Sequence, residues 1–277
     1  MARRSVLFSP GDRPEMLRKA PTTDADVVCF DLEDAVGPDR QDEARAAVHD
    51  VLADEAFDPA AEVWIRVGRE PTADVAAVVD DAVRLDAVMV PKVTAAAAER
   101  VANALEDAGR PLPVVALVET ARGVLAAESI ADASPVDAVC FGAEDLAADV
   151  GSATSADRSE ASHARQHVLL AARAAGVDAI DTVNVDFEDE AGLRADAVAA
   201  RDLGYDGKMA IHPAQVPVIN DAFTPDPERV AWAERVVAAS DAAGDRSVVE
   251  VDGEMVDPPL VAQAERVLER AGERDRT

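Results

Sequence analysis

Nine ionisable side chains stand at the trailing ends of short apolar runs: Asp31, Glu33, Asp34, Arg66, Lys92, Glu119, Glu144, Asp145 and His212. So many carboxylates beside one arginine suit metal-assisted chemistry better than simple binding. Glu119 and Asp145 are the leading pair. On neighbouring strands about 4.8 Å apart, their carboxylates would reach one ion at about 2.0–2.1 Å. That is the Mg²⁺ distance, with waters and substrate oxygens completing the octahedron. Mn²⁺ also accepts oxygen donors, whereas zinc is disfavoured without thiolates or clustered imidazoles. Helix capping is the competing assignment. Asp145 precedes Leu146-Ala147-Ala148, and Glu119 precedes Thr120-Ala121-Arg122.

Arg66, within Val63-Trp64-Ile65-Arg66-Val67, needs an anionic partner. It would fork around a substrate carboxylate or an enolate oxygen, or pair with Glu33 or Asp34. Those two acids otherwise suit bonding to metal-bound water or orienting the arginine. Glu144, like Glu119, is placed among the substrate-binding groups. Phe8, Arg13 and Lys19 set an aromatic ring and two cations close together in an acidic chain. They would receive the adenine and phosphates of a nucleotide-like group. The alternative is solvated charge on a first helix. His163 and His167, four apart on a helix without a third acid, suit a surface pair. His212, in Ile211-His212-Pro213, would line the pocket or fix its loop. Gly204 to Lys208 has neither the phosphate-loop nor the dinucleotide-fold glycine spacing.

The elements that must position these residues alternate in type. Eight apolar runs are Ser5–Pro10, Val27–Asp34, Val63–Gly68, Ala87–Val93, Val114–Thr120, Ala138–Asp145, Asp178–Asn184 and Gly207–His212. Helix-like stretches follow them: Gln41–Leu52, Thr72–Val83, Ala95–Ala108, Arg122–Ile130, Arg158–Ala175, Glu188–Leu203 and Ala214–Asp221. Eight strands alternating with helices predict an α/β fold, a (β/α)₈ TIM barrel over residues 1–223. In that fold the carboxyl ends of the strands converge on the active site. Gly151–Asp157, small and polar, suits a mobile loop at the top of the barrel. Asp26–Asp34 echoes Asp137–Asp145 weakly, so two Glu-Asp pairs would point at one mouth from opposite strands. Residues 224–277 form a C-terminal extension. It has a helix from Asp226-Pro227, a hairpin around Asp252-Gly253 and a last helix after Asp257-Pro258-Pro259. Helix, hairpin and helix are too small to fold alone and should pack on the barrel or on a neighbouring subunit.

Composition narrows the partners. The 277 residues hold 55 Asp and Glu against 27 Lys and Arg, a net charge of −28. Only Lys19, Lys92 and Lys208 are lysine. This balance argues against nucleic acid and anionic membranes. It suits a halophilic cytoplasm, where the Debye length falls to roughly 3 Å at 1 M salt. No apolar run approaches the roughly 18 residues of a membrane span, and no signal-peptide stretch opens the chain. Cys29 and Cys140 lie inside apolar strands and read as buried thiols, which fits a cytoplasmic protein.

A set of motifs runs nearly end to end: Arg4–Gly11, Asp31-Leu32-Glu33-Asp34-Ala35-Val36, Pro91-Lys92, Glu119–Gly123, Phe141–Leu146, Asp181–Asp189, Gly207–Pro213 and Met255–Pro259. With them the chain resembles the citrate lyase β-subunit-like family of the HpcH/HpaI aldolase group. That group includes citryl-CoA, malyl-CoA, β-methylmalyl-CoA and citramalyl-CoA lyases. The resemblance implies a Mg²⁺-bearing barrel, usually a homotrimer or a homohexamer built as a dimer of trimers. By motif, Glu119 and Asp145 look like the magnesium ligands and Arg66 like the substrate arginine. Phe8, Arg13 and Lys19 keep the spacing of acyl-CoA contacts. Asp257 looks like the acid–base residue presented to a neighbouring subunit's barrel, although Asp before Pro-Pro is also a favourable helix cap. Gly68 departs from the asparagine that relatives often carry two residues after the arginine, which touches the acid recognised. The implied reaction is reversible, Claisen-type carbon–carbon cleavage of a short 3-hydroxyacyl-CoA to acetyl- or propionyl-CoA and a 2-keto acid. Two rivals stand beside it: a class II pyruvate-type aldolase on free acids, and a lyase-complex subunit acting only on an acyl-carrier protein.

Overall fold

A computed structural model describes residues 3–153, 159–243 and 248–272. They fall into two compact units, Arg3–Asn220 and the segment from Asp221 onward. The larger unit is a closed barrel of eight parallel strands in chain order. These are β1 Ser5–Pro10, β2 Val27–Asp31, β3 Glu62–Arg66, β4 Ala87–Val90, β5 Val114–Val118, β6 Val136–Phe141, β7 Asp178–Asp181 and β8 Gly207–Ala210. The helices are α1 Pro14–Lys19, α2 Gln41–Leu52, α3 Pro71–Val78, α4 Ala95–Asp107, α5 Ala121–Val124, α6 Ala127–Ala131, α7 Ala143–Val150, α8 Ser162–Ala175, α9 Glu190–Leu203, α10 Gln215–Phe223, α11 Pro227–Ala243 and α12 Pro258–Gly272. The expected TIM-barrel class is what forms.

Both faces of these strands are covered, so they read as unbroken Val/Ala/Ile runs. Alternation along each strand then decides the contents of the barrel. Val6, Val27, Cys29, Trp64, Ala87, Met89, Val115, Leu117, Ala138, Cys140, Ile180 and Met209 form the buried interior. Cys29 and Cys140 are free thiols within it. One step of two beyond Cys29, Trp64 and Leu117 come Asp31, Arg66 and Glu119. The same alternation that buries the apolar residues therefore brings these three charges up inside the mouth. The lower end is closed by Arg3, whose guanidinium pairs with Glu62, Asp137 and Asp178 and lies 5.3 Å from the Trp64 ring centre.

The structure corrects several boundaries. The sixth run was expected as a strand through Asp145, but β6 ends at Phe141, and Glu144 and Asp145 lie in the first turn of α7. Gly142 makes that turn. Likewise β2 stops at Asp31, leaving Glu33 and Asp34 in the loop that follows. The single helix expected over Arg122–Ile130 divides into α5 and α6, because the chain leaves helical geometry at Ala126 (φ −119°, ψ 14°). Residues 154–158, most of the loop expected at Gly151–Asp157 and the start of the helix expected from Arg158, lie outside the described residues.

In the smaller unit, β9 Val249–Val251 and β10 Glu254–Val256 pair as an antiparallel hairpin. Asp252 and Gly253 both adopt positive φ (55° and 84°), as the tight turn of a two-residue hairpin requires. Val251 and Val256 pack with Ala233, Val236 and Ala264 in a small core. Asp257 is exposed, and its Oδ1 accepts the Leu260 N–H at 3.2 Å, capping α12.

Candidate active site

The mouth of the barrel opens into a cavity of about 400 Å³. Its lining includes Phe8, Asp31, Asp34, Arg66, Glu119, Glu144, Asp145 and Thr182. Arg66 is set first by its strand and then by Asp31. Its Nε and Nη2 donate to the two Asp31 carboxylate oxygens at 2.7 and 2.6 Å. Asp31 is itself fixed by the backbone N–H groups of Glu33 and Ala35 at 2.9 and 3.0 Å. The guanidinium carbon lies 4.9 Å from the Phe8 ring centre, and Nη1 is 3.2 Å from Glu33 and 3.6 Å from Asp34. Burial works against the guanidinium charge, but the bonds to Asp31 outweigh it and raise the pKa further. The forked edge expected to meet a substrate is thus used by Asp31, and Nη1 faces Glu33 and Asp34.

Glu119 follows β5 and is only 4% exposed. Its Oε1 accepts the Lys92 backbone N–H at 3.0 Å. Thr120, not Glu119, caps α5, through its Oγ1 and the Gly123 N–H at 3.0 Å. Asp145 is not a cap either. The N-cap of α7 is Gly142, and the Ala143 N–H goes to Thr182 Oγ1 at 2.9 Å. Geometry therefore rejects the capping alternative for both acids. Burial first, then the negative charge of Glu33, pushes Glu119 up to about 7. Burial also raises Glu33, against the pull of Arg66.

Lys92 connects these acids. Its Nζ lies 2.8 Å from Glu33 Oε1, 2.6 Å from Asp145 Oδ2 and 3.7 Å from Glu119 Oε1. Desolvation disfavours the ammonium, but its bonds to Asp145 and Glu33 hold it charged. A positively charged atom thus already sits within reach of three carboxylates. The donors are all oxygen, the set hard cations such as Mg²⁺ select. Among the described residues no three of these acids close into a ready-made metal cage. Two carboxylates with open positions are what a Mg²⁺ site that also binds substrate uses.

The structure thus brings together Arg66, Glu119, Glu144, Asp145, Glu33, Asp34 and Phe8. Arg13, just before α1, and Lys19, at its end, are exposed and are not among the residues lining the cavity. Arg13 Nε is 3.9 Å from Asp12. His212 does not line the cavity; its ring stacks on Phe187 (5.0 Å, 21°) and its Nδ1 accepts the Ala214 N–H at 3.2 Å, so it fixes the loop. His163 and His167 stack on each other at the surface. Sequence reasoning gave no role to Asp31 or Lys92. The signal for Lys92 was its rarity, one of three lysines in the chain.

Known proteins are similar to this chain in sequence and in shape. Residues 4–213 match the family model described as HpcH/HpaI aldolase/citrate lyase. A citrate lyase subunit beta-like protein of Mycobacterium tuberculosis is 42% identical over 274 residues, covering 96% of this chain and 95% of the relative. A (3S)-malyl-CoA thioesterase of Cereibacter sphaeroides is 38% identical over 275 residues, covering 97% of this chain and 94% of the relative. The crystal structure of CitE from Mycobacterium tuberculosis in complex with magnesium, acetoacetate and coenzyme A superposes with a TM-score of 0.82. It is 39% identical and covers 98% of both chains.

Proposed function

The chain belongs to the HpcH/HpaI aldolase/citrate lyase family, and from that premise we propose that it is a Mg²⁺-dependent acyl-CoA carbon–carbon lyase. It would cleave, reversibly, a short 3-hydroxyacyl-CoA such as citryl-, malyl-, β-methylmalyl- or citramalyl-CoA. The products would be acetyl- or propionyl-CoA and a 2-keto acid. The observation that supports this reading is the cluster of acids at the Lys92 ammonium, Glu33 at 2.8 Å, Asp145 at 2.6 Å and Glu119 at 3.7 Å, beside Arg66. Glu119 and Asp145 would hold the ion. When bound, Mg²⁺ supplies Lewis-acid stabilisation of charge on the keto-acid oxygens, worth several kcal/mol.

The chain's own residues do the rest. Arg66, locked by Asp31, directs Nη1 at the developing enolate oxygen of the thioester half. A preorganised cation in a partly desolvated pocket is worth more there than in bulk. The Phe8 ring backs the guanidinium and closes one wall. The cavity suits the small acid end of the substrate, so the rest of the thioester would extend outward, with Arg13 and Lys19 as its phosphate contacts. Asp257, exposed at the head of α12, would move the proton at the acyl α-carbon from a neighbouring subunit in a trimer or hexamer. Proton transfer of this kind contributes about 10²–10⁴ in rate.

The test is a screen of purified chain with acetyl- or propionyl-CoA against glyoxylate, pyruvate and oxaloacetate, with Mg²⁺ and molar KCl. Mass detection of a condensed hydroxyacyl-CoA, lost when EDTA is added, is the expected result. The thioesterase relative makes a second outcome worth reading. Release of free coenzyme A from malyl-CoA with no carbon–carbon step would replace the lyase reading by hydrolysis. Activity on free acids alone, or only on an acyl-carrier protein, would favour the aldolase or the complex-subunit alternative.

A further inference from the structure

We propose that Lys92 is an internal competitor for the divalent-cation position, and that metal enters by displacing its ammonium from Asp145 and Glu33. The inference rests on the reading that Glu119 and Asp145 hold the ion. It adds a residue that sets how tightly they do so. Three features of Lys92 carry it. Its Nζ lies closer to Asp145 than to any other acid, at 2.6 Å, and bridges to Glu33 at 2.8 Å. It therefore covers one oxygen of Asp145 and stands 3.7 Å from Glu119 Oε1, on the side a shared metal would occupy. Its backbone N–H holds Glu119 Oε1 at 3.0 Å, so main chain and side chain bond different acids of one cluster. Its φ of +47° lies in the left-handed region, uncommon for a residue with a β-carbon and costly to hold. That conformation lets one residue make both contacts.

The physical consequence is competition. An ammonium and a divalent ion cannot both sit against the same carboxylate oxygens without strong repulsion. The ammonium also relieves the mutual repulsion of three crowded acids. Metal binding must then overcome the loss of these contacts, which weakens its apparent affinity. A neutral side chain at this position removes the competitor and leaves the acids unshielded, and both changes favour the metal.

The experiment is calorimetric titration of Mg²⁺ alone into wild type, Lys92→Gln, Lys92→Asn and Lys92→Arg, with no substrate. Asparagine tolerates the left-handed backbone well and guards against a folding failure of the glutamine variant. The expected result is a Kd for Mg²⁺ at least tenfold lower in the two neutral variants, with the arginine variant near wild type. Thermal melting without Mg²⁺ should show the neutral variants less stable than wild type, and added Mg²⁺ should raise their Tm by more. An unchanged or weaker Kd in both neutral variants, with wild type binding Mg²⁺, overturns the competition and leaves the metal site standing. Failure of all four proteins to bind Mg²⁺ overturns the metal site and this inference together.

Discussion

Glu119 shows how much chemistry one buried side chain carries. Burial holds its pKa near 7, above the reference of 4.5. The folded chain therefore keeps a proton that the unfolded chain gives up between these values. The contribution to stability is present below about 4.5 and is lost as pH rises through 7. Glu119→Gln removes the titration, so its stability relative to wild type should improve as pH goes from 5 to 8 in metal-free buffer. A metal ligand must also be deprotonated. At pH 6.5 Mg²⁺ binding should release roughly three quarters of a proton, and at pH 8.5 almost none. Calorimetry in buffers of different ionisation heat reads this directly, and a release independent of pH would remove Glu119 from the site. Gly142 gives a steric test. A Cβ there would lie 2.6 Å from Glu119 Cβ and 2.7 Å from Glu119 Oε2. Gly142→Ala should leave the barrel folded by circular dichroism yet weaken Mg²⁺ binding at least tenfold, because Glu119 must move. The acids themselves were legible in the sequence, since each ends an apolar run. The Asp31–Arg66 fork and the Lys92 bridge were not. They depend on the register of β2 against β3, which sets Asp31 beside Arg66, and on where a flexible ammonium comes to rest, and spacing encodes neither.

At the scale of elements, strand positions were plain because fully buried strands carry unbroken apolar runs. Their ends were not. Phe141-Gly142-Ala143 continues the apolar signal of β6, yet Gly142 begins α7 and places Glu144 and Asp145 in its first turn. There the helix dipole favours negative charge, a benefit a strand end would not give. The division of α5 from α6 left no mark, because Ala126, where the chain breaks, is of the strongest helix-forming type. Elements are also tied together by charge. Lys208 on β8 is fully buried, with Nζ 2.8 Å from Asp181 on β7 and 2.7 Å from Asp196 on α9. Arg165 on α8 forks onto the same Asp181 at 2.8 and 2.7 Å. Four elements share this cluster on the outer side of the strands, away from the mouth. Removing one member of such a group strands the other charges in low dielectric. Lys208→Ala should therefore cost about 3–5 kcal/mol of unfolding free energy by urea titration. Lys208→Met, which refills the volume but not the charge, should fare little better. A loss below about 1 kcal/mol for both would show that water reaches the cluster.

At the scale of the molecule, the balance of 55 acids against 27 bases leaves a net charge of −28. Two of the three lysines are paired with carboxylates, Lys92 half-exposed at the barrel mouth and Lys208 fully buried, and apart from Lys19 the other Lys and Arg residues are all arginine. Many of those arginines are paired, as Arg40 is with Glu43 and Arg45 with Asp74. What remains is a large unpaired negative charge whose self-repulsion opposes the compact state. Salt should relieve it. The Debye length falls from about 10 Å at 0.1 M to about 3 Å at 1 M, so interactions between exposed charges farther apart than that are largely screened. The Tm should therefore rise by several degrees between 0.1 and 2 M KCl. For a domain of this size each 1 kcal/mol corresponds to about 2–4 °C. Screening makes a second demand that separates it from a general effect of salt on apolar burial. Near pH 4.5, where many of the carboxylates are protonated, the same salt step should move Tm far less. A Tm that is flat or falling with KCl at pH 7.5, or an equal rise at both pH values, would show that charge repulsion is not what limits this fold.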